Sequence, residues 1–429
     1  MIYIAADVEK YIEKSIDSLM NQSIGFEKLQ IILIDDNSTD QSAEIIRRYE
    51  KKYDNIFGIY LTQNSHAAGK PRNEGLDIAS GECVMFLDPD DMYEKNACEI
   101  LYRELNEGGY DCVAGYYKEI DENDNIVNEN AYSVMEIAEG VYDIENDLEN
   151  VLKLRSGFWA KIYKRDLIEK LKLRFPEDVP GQDLVFFINY LLNGKKLKYV
   201  DKPVVFYRLR NKKNKSISFL YNEWFFLGIS KSYKMCLEIF QEKKVADKFE
   251  ILFKGALDFY IRCMIDSNLE EEVIAHILSE WQWAYDYETF QEQSEKDFWY
   301  GPVSKLLLNK EYDKAANVIC QLRSLRKWNN ELKEAVEWHK SNSESLQKQI
   351  DELKGWITQL EEARDYYKIQ MENRQIEYEK LKLEFDGKQD QNDMYDQIEK
   401  EAKKWKYKYN NLISDTTIQK IAKKKKIDI

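Results

Sequence analysis

The chain has 429 residues, 44% of them hydrophobic and 33% charged, which is apolar material for a sizeable core in two or three domains. A formal net charge of −15 argues against a nucleic-acid partner. No apolar run approaches the ~18 residues of a membrane helix, and no basic start leads into an apolar stretch, so neither a span nor a secretory leader is expected. The cysteines (Cys83, Cys98, Cys112, Cys236, Cys263, Cys320) and histidines (His66, His276, His339) are scattered without a CxxC pair. That spacing predicts reduced thiols and no zinc site.

Residues 1–110 alternate strand and helix signals. Met1–Ala5 is a short apolar start. Asp7 can cap a helix whose stripe Val8, Tyr11, Ile12, Ile16, Leu19 and Met20 has helical spacing. Ile31–Ile34 reads as a buried strand ending in Asp35-Asp36. Ser38 or Thr39 can cap a second helix through about Lys52. Ile56–Leu61 is a third strand, and Gly69–Ala79 a third helix closed by Ser80-Gly81. Cys83–Leu87 is a fourth strand, and it stops abruptly at Asp88-Pro89-Asp90-Asp91. This alternation predicts an α/β fold with a mainly parallel sheet and flanking helices. Ligands of such sheets bind beyond the carboxyl ends of the strands, so Asp35-Asp36 and Asp88–Asp91 can face one crevice.

Three carboxylates this close repel one another unless a cation or a cluster of donors compensates them. A hard divalent cation with oxygen ligands is the usual compensation. If it also holds a diphosphate, the loop marks an enzyme of nucleotide-activated substrates.

Farther on, Cys112–Tyr117 and Lys198–Tyr207 carry strand signals and Gln182 to Leu192 a helix. From Tyr221 to about Arg326 the pattern is helical, and Trp224, Phe225, Phe226, Phe249, Phe253, Phe259 and Tyr260 read as its core. From about 331, Leu346, Ile350, Leu353, Ile357, Leu360, Tyr367, Met371, Tyr378, Leu381 and Phe385 follow alternating steps of four and three. Arg364 and Arg374 fill the remaining slots. This predicts a long coiled-coil helix capable of self-association, against the simpler reading of one helix packed on its own protein. After Gly387 the periodicity fades into a polar, Lys-rich tail with Trp405, Tyr407, Tyr409 and Lys423–Lys426. The tail is expected to be a solvated end, with contact to an anionic membrane surface as the alternative. The expected domains are 1–220, 221–330, 331–386 and 387–429.

Six segments in order carry a family resemblance: Val8-Glu9-Lys10-Tyr11-Ile12, Ile34 to Asp40, Gly69-Lys70-Pro71-Arg72-Asn73-Glu74-Gly75, Phe86 to Asp91, Trp159 to Arg165, and Gly181-Gln182-Asp183-Leu184-Val185-Phe186. Together they make the first 220 residues resemble a family 2 glycosyltransferase with the glycosyltransferase A-type, Rossmann-like fold. The resemblance implies an inverting hexosyl transfer from a nucleotide-diphosphate sugar, most simply a UDP-sugar. The acceptor would be a hydroxyl of a glycan or lipid-linked molecule in surface polysaccharide assembly. It implies that Asp36 accepts the N–H of a pyrimidine base, and a carboxylate suits that donor. Asp90, with Asp91 next, would hold Mn2+ or Mg2+, which neutralises the leaving diphosphate. Asp88 would contact ribose or orient the loop, and Arg72 and Lys70 would reach the diphosphate or tie down the acidic loop.

Asp183 would be the general base, with Glu177 and Asp178 as nearby competitors. Its simpler role, an acid in the first turn of a helix, is compatible with that. Trp159 offers a flat face to a sugar or acceptor. Arg208, in Tyr207-Arg208-Leu209-Arg210 before Ser216-Ile217-Ser218, would lie in a segment closing over the donor. A cytoplasmic enzyme, peripheral at most, is implied. The Gln-x-x-Arg-Trp element and membrane spans of processive relatives do not occur, which implies addition of one or few sugars.

One departure stands out. The family's first strand is longer and ends in Pro-x-Tyr-Asn, where this chain has Ala5-Ala6-Asp7. That puts the nucleotide pocket's first wall in question and leaves room for an upstream start. It also favours a rival reading, a non-catalytic coiled-coil interaction protein with a degenerate transferase domain. The intact Asp88–Asp91 and Asp183 oppose that rival.

Overall fold

The computed structural model describes residues 1–129, 137–154, 157–210, 221–253, 255–285, 301–385 and 392–412. They fall into two compact units, Met1–Leu325 and Arg326–Ile429.

In the first unit the strands β1 (Ile2–Ala5), β2 (Ile31–Asp35), β3 (Ile56–Tyr60) and β4 (Cys83–Leu87) pair in parallel in the order β3-β2-β1-β4. β1, β2 and nearly all of β4 are buried, as their unbroken apolar runs require. Between them run α1 (Ile12–Met20), α2 (Ser42–Lys52) and α3 (Gly69–Ile78). α1 buries Ile12, Ser15, Ile16 and Leu19, one stripe of the helix.

The remaining half of the sheet departs from a mainly parallel arrangement. After β5 (Met92–Tyr93) and α4 (Ala97–Gly108) come β6 (Cys112–Ile120), β7 (Ile126–Asn128), β8 (Gly140–Asp143) and the short α5 (Leu148–Val151). β9 (Lys161–Lys164) lies between β4 and β6, antiparallel to both. β10 (Lys196–Arg208) runs parallel to β6 and antiparallel to β5 and β8. The sheet is therefore mixed. Apolar runs report burial but not direction, so the reversal at β9 left no mark on the sequence pattern. α6 (Arg165–Lys170) and α7 (Gln182–Asn193) flank this half.

The unit continues with α8 (Glu223–Glu242), α9 (Phe249–Phe253), α10 (Ala256–Ile265), α11 (Glu271–Glu280) and α12 (Gln282–Tyr285), then Gly301–Leu308 and the start of a helix spanning Tyr312–Phe385. Trp281 is fully buried at its centre and donates from Nε1 to the Phe226 carbonyl at 3.2 Å. Phe225, Phe226, Phe249 and Phe253 are buried as expected, whereas Trp224 and Phe259 point outward, 37% and 54% exposed.

The long helix starts at Tyr312, well before the composition changes near 331, because Ala315, Ala316 and Ile319 are still core residues. In the second unit it is continuous through Phe385. Expected as a polar tail, residues 392–412 instead form a helix. Trp405 packs against Tyr367 and Tyr366, with ring centroids 5.5 and 6.5 Å apart. Ile398, Ala402, Trp405, Tyr409 and Leu412 are spaced by four and three, a signal too short to stand out in the sequence. Lys423–Lys426 lie outside the described residues, as do Ser216-Ile217-Ser218.

Candidate active site at the carboxyl ends of the strands

Register sets the site. Ala5 pairs with Asp35, and Tyr3 with Leu87, so β2 and β4 deliver Asp36 and Asp88 to one edge of the sheet. The shortened first strand pairs along its whole length with β2 and through Ile2 and Tyr3 with β4. Its turn is closed by the facing loop: Thr39 N and Oγ1 donate to Asp7 Oδ1 at 2.7 and 3.1 Å. Val8 N donates to Ser42 Oγ at 3.0 Å, and Glu9 N to Asp40 Oδ2 at 2.8 Å.

Asp36 is 5% exposed. Ser65 donates to it through N (2.9 Å) and Oγ (2.7 Å). A carboxylate has about four acceptor sites, so others remain for a further donor.

The acidic loop is held by arginines. Arg72 Nη2 donates to Asp88 Oδ1 at 3.0 Å. Arg72 is 5% exposed, with its guanidinium 4.0 Å from the Phe158 ring centre and 5.5 Å from that of Phe175. Asp91 is fully buried; its Oδ1 accepts the Arg208 amide at 2.8 Å. Arg210 Nε donates to Asp90 Oδ2 at 2.5 Å. Burial first, then the charges of Asp90 and Asp88, push Asp91 well above the usual carboxylate range. Asp88 is also raised, chiefly by burial; Arg72 opposes this, while Asp90 and Asp183 add to it. The loop is thus a place where negative charge is costly and a cation is welcome.

One expected ligand turns out differently. Arg208, expected in a segment closing over the donor, is 3% exposed, and its guanidinium is spent inside the protein. Nε donates to the Asp90 carbonyl (2.8 Å), Nη1 to the Asp121 carbonyl (2.8 Å), and Nη2 pairs with Asp124 (2.6 Å). It fastens the acidic loop to the turn between β6 and β7. Lys70 is exposed, two residues and so about 200° around α3 from Arg72.

Asp183 sits half-buried in the first turn of α7. Its charge adds to the upward push on Asp88, so two carboxylates 95 positions apart in the chain lie within electrostatic reach of each other. The competitors Glu177 and Asp178 are both exposed. Beneath the site Lys161 is fully buried, with Nζ donating to the Gly157 carbonyl at 2.6 Å. Burial pushes its ammonium down to about 8, against the charges of Cys112 and Asp183.

Trp159 is half-buried, stacked on Tyr207 (5.5 Å, 19°) and edge-on to Tyr117 (4.8 Å, 89°). Asp91, Asp90 and Asp88 all raise the Tyr207 phenol after burial does, which puts this aromatic wall beside the acidic loop. The Tyr93 hydroxyl lies 2.7 Å from the Phe86 carbonyl and 3.1 Å from that of Trp159, joining the end of β4 to the Trp159 segment.

α3 braces both halves. Arg72 holds Asp88, while Asn73 exchanges hydrogen bonds with the main chain of Phe175 (2.8 and 2.9 Å) and donates to Glu177 at 3.1 Å. The chain before Asp183 crosses so close that a Cβ on Gly69 would lie 2.0 Å from the Pro176 carbonyl oxygen. The sequence motif holding Gly69, Arg72 and Asn73 was visible, but no role fell to Asn73, because its partner is 102 positions away. Tyr93, Tyr207 and Arg210 were missed for the same reason, and Lys161, four residues from its Gly157 partner, because no local signal marks a lysine as buried.

The donor chemistry fits a hard cation. The loop is all oxygen, like charges raise Asp88 and Asp91, and the buried Asp91 Oδ2 has no hydrogen-bond partner among the described residues. Among those residues no three His, Cys, Asp or Glu side chains form a metal-holding group. A cation here would need oxygens from a ligand as well.

Comparison with known proteins agrees with this geometry. The family described as "Glycosyl transferase family 2" matches residues 2–172. That segment is similar to glycosyl transferase family 2. The transferase domain is 31% identical over 193 residues to a poly(ribitol-phosphate) beta-glucosyltransferase of Bacillus spizizenii, covering 44% of this chain and 28% of that one. It is 33% identical over 200 residues to a GalNAc(5)-diNAcBac-PP-undecaprenol beta-1,3-glucosyltransferase of Campylobacter jejuni, covering 46% and 60%. The chain thus spans from about a quarter to three fifths of these relatives. The crystal structure of S. aureus TarS 1–349 in complex with UDP-GlcNAc superposes with a TM-score of 0.57 at 20% identity, covering 75% of this chain and 90% of that one. That likeness shows the fold.

Proposed function

We propose that the chain is an inverting glycosyltransferase that moves a sugar from a UDP-sugar to a hydroxyl of a polymeric or lipid-linked acceptor in cell-surface polysaccharide assembly. The observation that carries this is the meeting of Asp183 with the arginine-bound acidic loop at the mouth of the sheet, flanked by Trp159 and Tyr207. Relatives named for glucosyl transfer to poly(ribitol-phosphate) and to an undecaprenol-linked glycan support the acceptor class. The neighbour crystallised with UDP-GlcNAc supports the donor class.

In this reading Asp36 receives the base N–H. Asp90, once Arg210 releases it, would hold Mn2+ or Mg2+, with Asp91 Oδ2, unpartnered among the described residues, next to it in the loop. Such a cation would supply charge neutralisation for the leaving diphosphate. Arg72 favours the charged form of Asp88 and holds it in place for ribose. Asp183 removes the proton of the acceptor hydroxyl. The freed oxygen attacks the anomeric carbon opposite the diphosphate, the sugar–phosphate bond breaks, and the configuration inverts. Trp159 offers its ring to a sugar.

A panel of UDP-sugars tests the reading, with UDP release as the signal and nuclear magnetic resonance of the product anomer. One UDP-sugar should be consumed with inversion. Retention of configuration, or preference for another nucleotide, would overturn the assignment.

In this reading the enzyme is cytoplasmic and peripheral to the membrane at most. No described helix is long and apolar enough to cross a membrane. The segment Leu346–Leu360 belongs in this reading to a parallel two-stranded coiled coil. It alternates Leu and Ile at the heptad positions that favour two strands, and Leu346, Ile350 and Ile357 are 51%, 45% and 55% exposed. Sedimentation equilibrium should give twice the chain mass of 51.1 kDa, and Leu353→Asp with Ile357→Asp should halve it. A single-chain mass for the unaltered protein would contradict the dimer.

A further inference from the structure

The turn that presents Asp183 is gripped by a helix outside the family-matched segment. α7 begins after Pro180 and Gly181, and Gly181 takes the left-handed φ of +77°. α8 lies across this turn with one face, Gly228, Ile229 and Ser232. Ser232 is fully buried and donates from Oγ to the Pro180 carbonyl at 2.7 Å. The Pro180 ring rests on Gly228 so closely that a Cβ there would lie 2.3 Å from Pro180 Cδ. A Cβ on Gly181 would meet Ile229 Cδ1 at 3.2 Å and Ser232 Cβ at 3.3 Å. Both sides of the turn are therefore fixed by α8: its carbonyl by a hydroxyl, its proline ring by the absence of a side chain. The charge of Asp183 is felt farther along the same helix by Tyr233 and Cys236, and from α10 by Tyr260. Burial holds all three of these neutral.

We propose that Ser232 and Gly228 are positioning residues that fix the Pro180-Gly181 turn and thereby hold the carboxylate of Asp183 at the acidic loop. The helical region after residue 220 is then part of the reaction centre. Misplacing a catalytic group by about an ångström can cost on the order of 100-fold in rate, so a helix that sets this turn controls kcat more than donor binding. The inference rests on Asp183 being the base.

The test uses the full chain and three single variants. Ser232→Ala removes the hydrogen bond. Ser232→Cys keeps the volume with a weaker donor, for the case in which the alanine variant does not fold. Gly228→Ala pushes on Pro180 with the hydrogen bond intact. Each should lower kcat for UDP-sugar turnover by about tenfold or more, with KM for the UDP-sugar and calorimetric UDP affinity within twofold of the unaltered chain. Added to Asp183→Asn, each should lower the residual rate no further, because it acts through that carboxylate. Unchanged kcat in the folded variants would overturn the proposal. So would an undiminished loss on top of Asp183→Asn, or a matching loss of UDP affinity. Should Asp183→Asn alone keep full turnover, the reading of Asp183 as the base fails instead, whatever the α8 variants do.

Discussion

Replacing Asp183 by asparagine is expected to lower UDP-sugar turnover by about 100- to 10,000-fold, the range of positioned general bases. The affinity for UDP should stay unchanged. Asparagine keeps the size and the hydrogen-bonding reach of the side chain but cannot accept a proton. Asp183 lies in the first turn of α7 and takes no part in the Ser65–Asp36 hydrogen bonds that hold the expected base pocket. The change would also remove one of the charges that raise Asp88, which if anything relieves the acidic loop. Turnover measured under saturating donor, beside a UDP titration, separates the two effects. Full activity in this variant would remove the base from the mechanism, and a parallel loss of UDP binding would make Asp183 part of the nucleotide site.

The second large effect is structural. Arg72→Met should destabilise the first unit by about 3 kcal/mol, the lower end of the cost of breaking a buried ion pair. The lower end applies because the Asp88 side chain is still 30% exposed while that of Arg72 is 5% exposed. Methionine fills the space between Phe158 and Phe175, so the loss comes mainly from the charge. Asp88 would be left facing Asp90 and Asp183 without its cation. Adding Asp88→Asn to Arg72→Met should therefore recover most of the stability without recovering activity. Denaturant unfolding of the four chains measures the coupling. Equal losses in the single and the double variant would show that Arg72 acts by packing alone.

Those two residues also show what the sequence could and could not carry. β2, β4, α3 and α7 lie within a residue or two of where apolar runs, caps and glycines put them, since both kinds of signal are local. The acidic loop, Arg72 and Asp183 were legible as chemistry in a family pattern. The division of labour between Arg208 and Arg210 was not. In an extended chain residues two apart share a face, and both guanidiniums do lie over Tyr11 at 5.2 and 5.4 Å. What separates them is Asp121 and Asp124, more than 80 positions back, which claim Arg208 for the interior and leave Arg210 to Asp90. The antiparallel β9, the brace through Asn73 and the grip of α8 on Pro180 are contacts of the same long-range kind. The helix at Asn392–Leu412 escaped for another reason: its apolar spacing is brief and sits among lysines and glutamates.

The most direct measurement is a calorimetric titration of UDP, with and without manganese, into the unaltered chain and Asp90→Ala. The account predicts binding in the micromolar range that needs the metal and is lost in the variant. That pattern follows if Asp90 exchanges Arg210 for a cation shared with the diphosphate. Absence of UDP binding by the folded chain under every condition would contradict it, and so would binding of equal strength in Asp90→Ala. The first outcome would turn the balance toward a domain that has kept the fold without the chemistry.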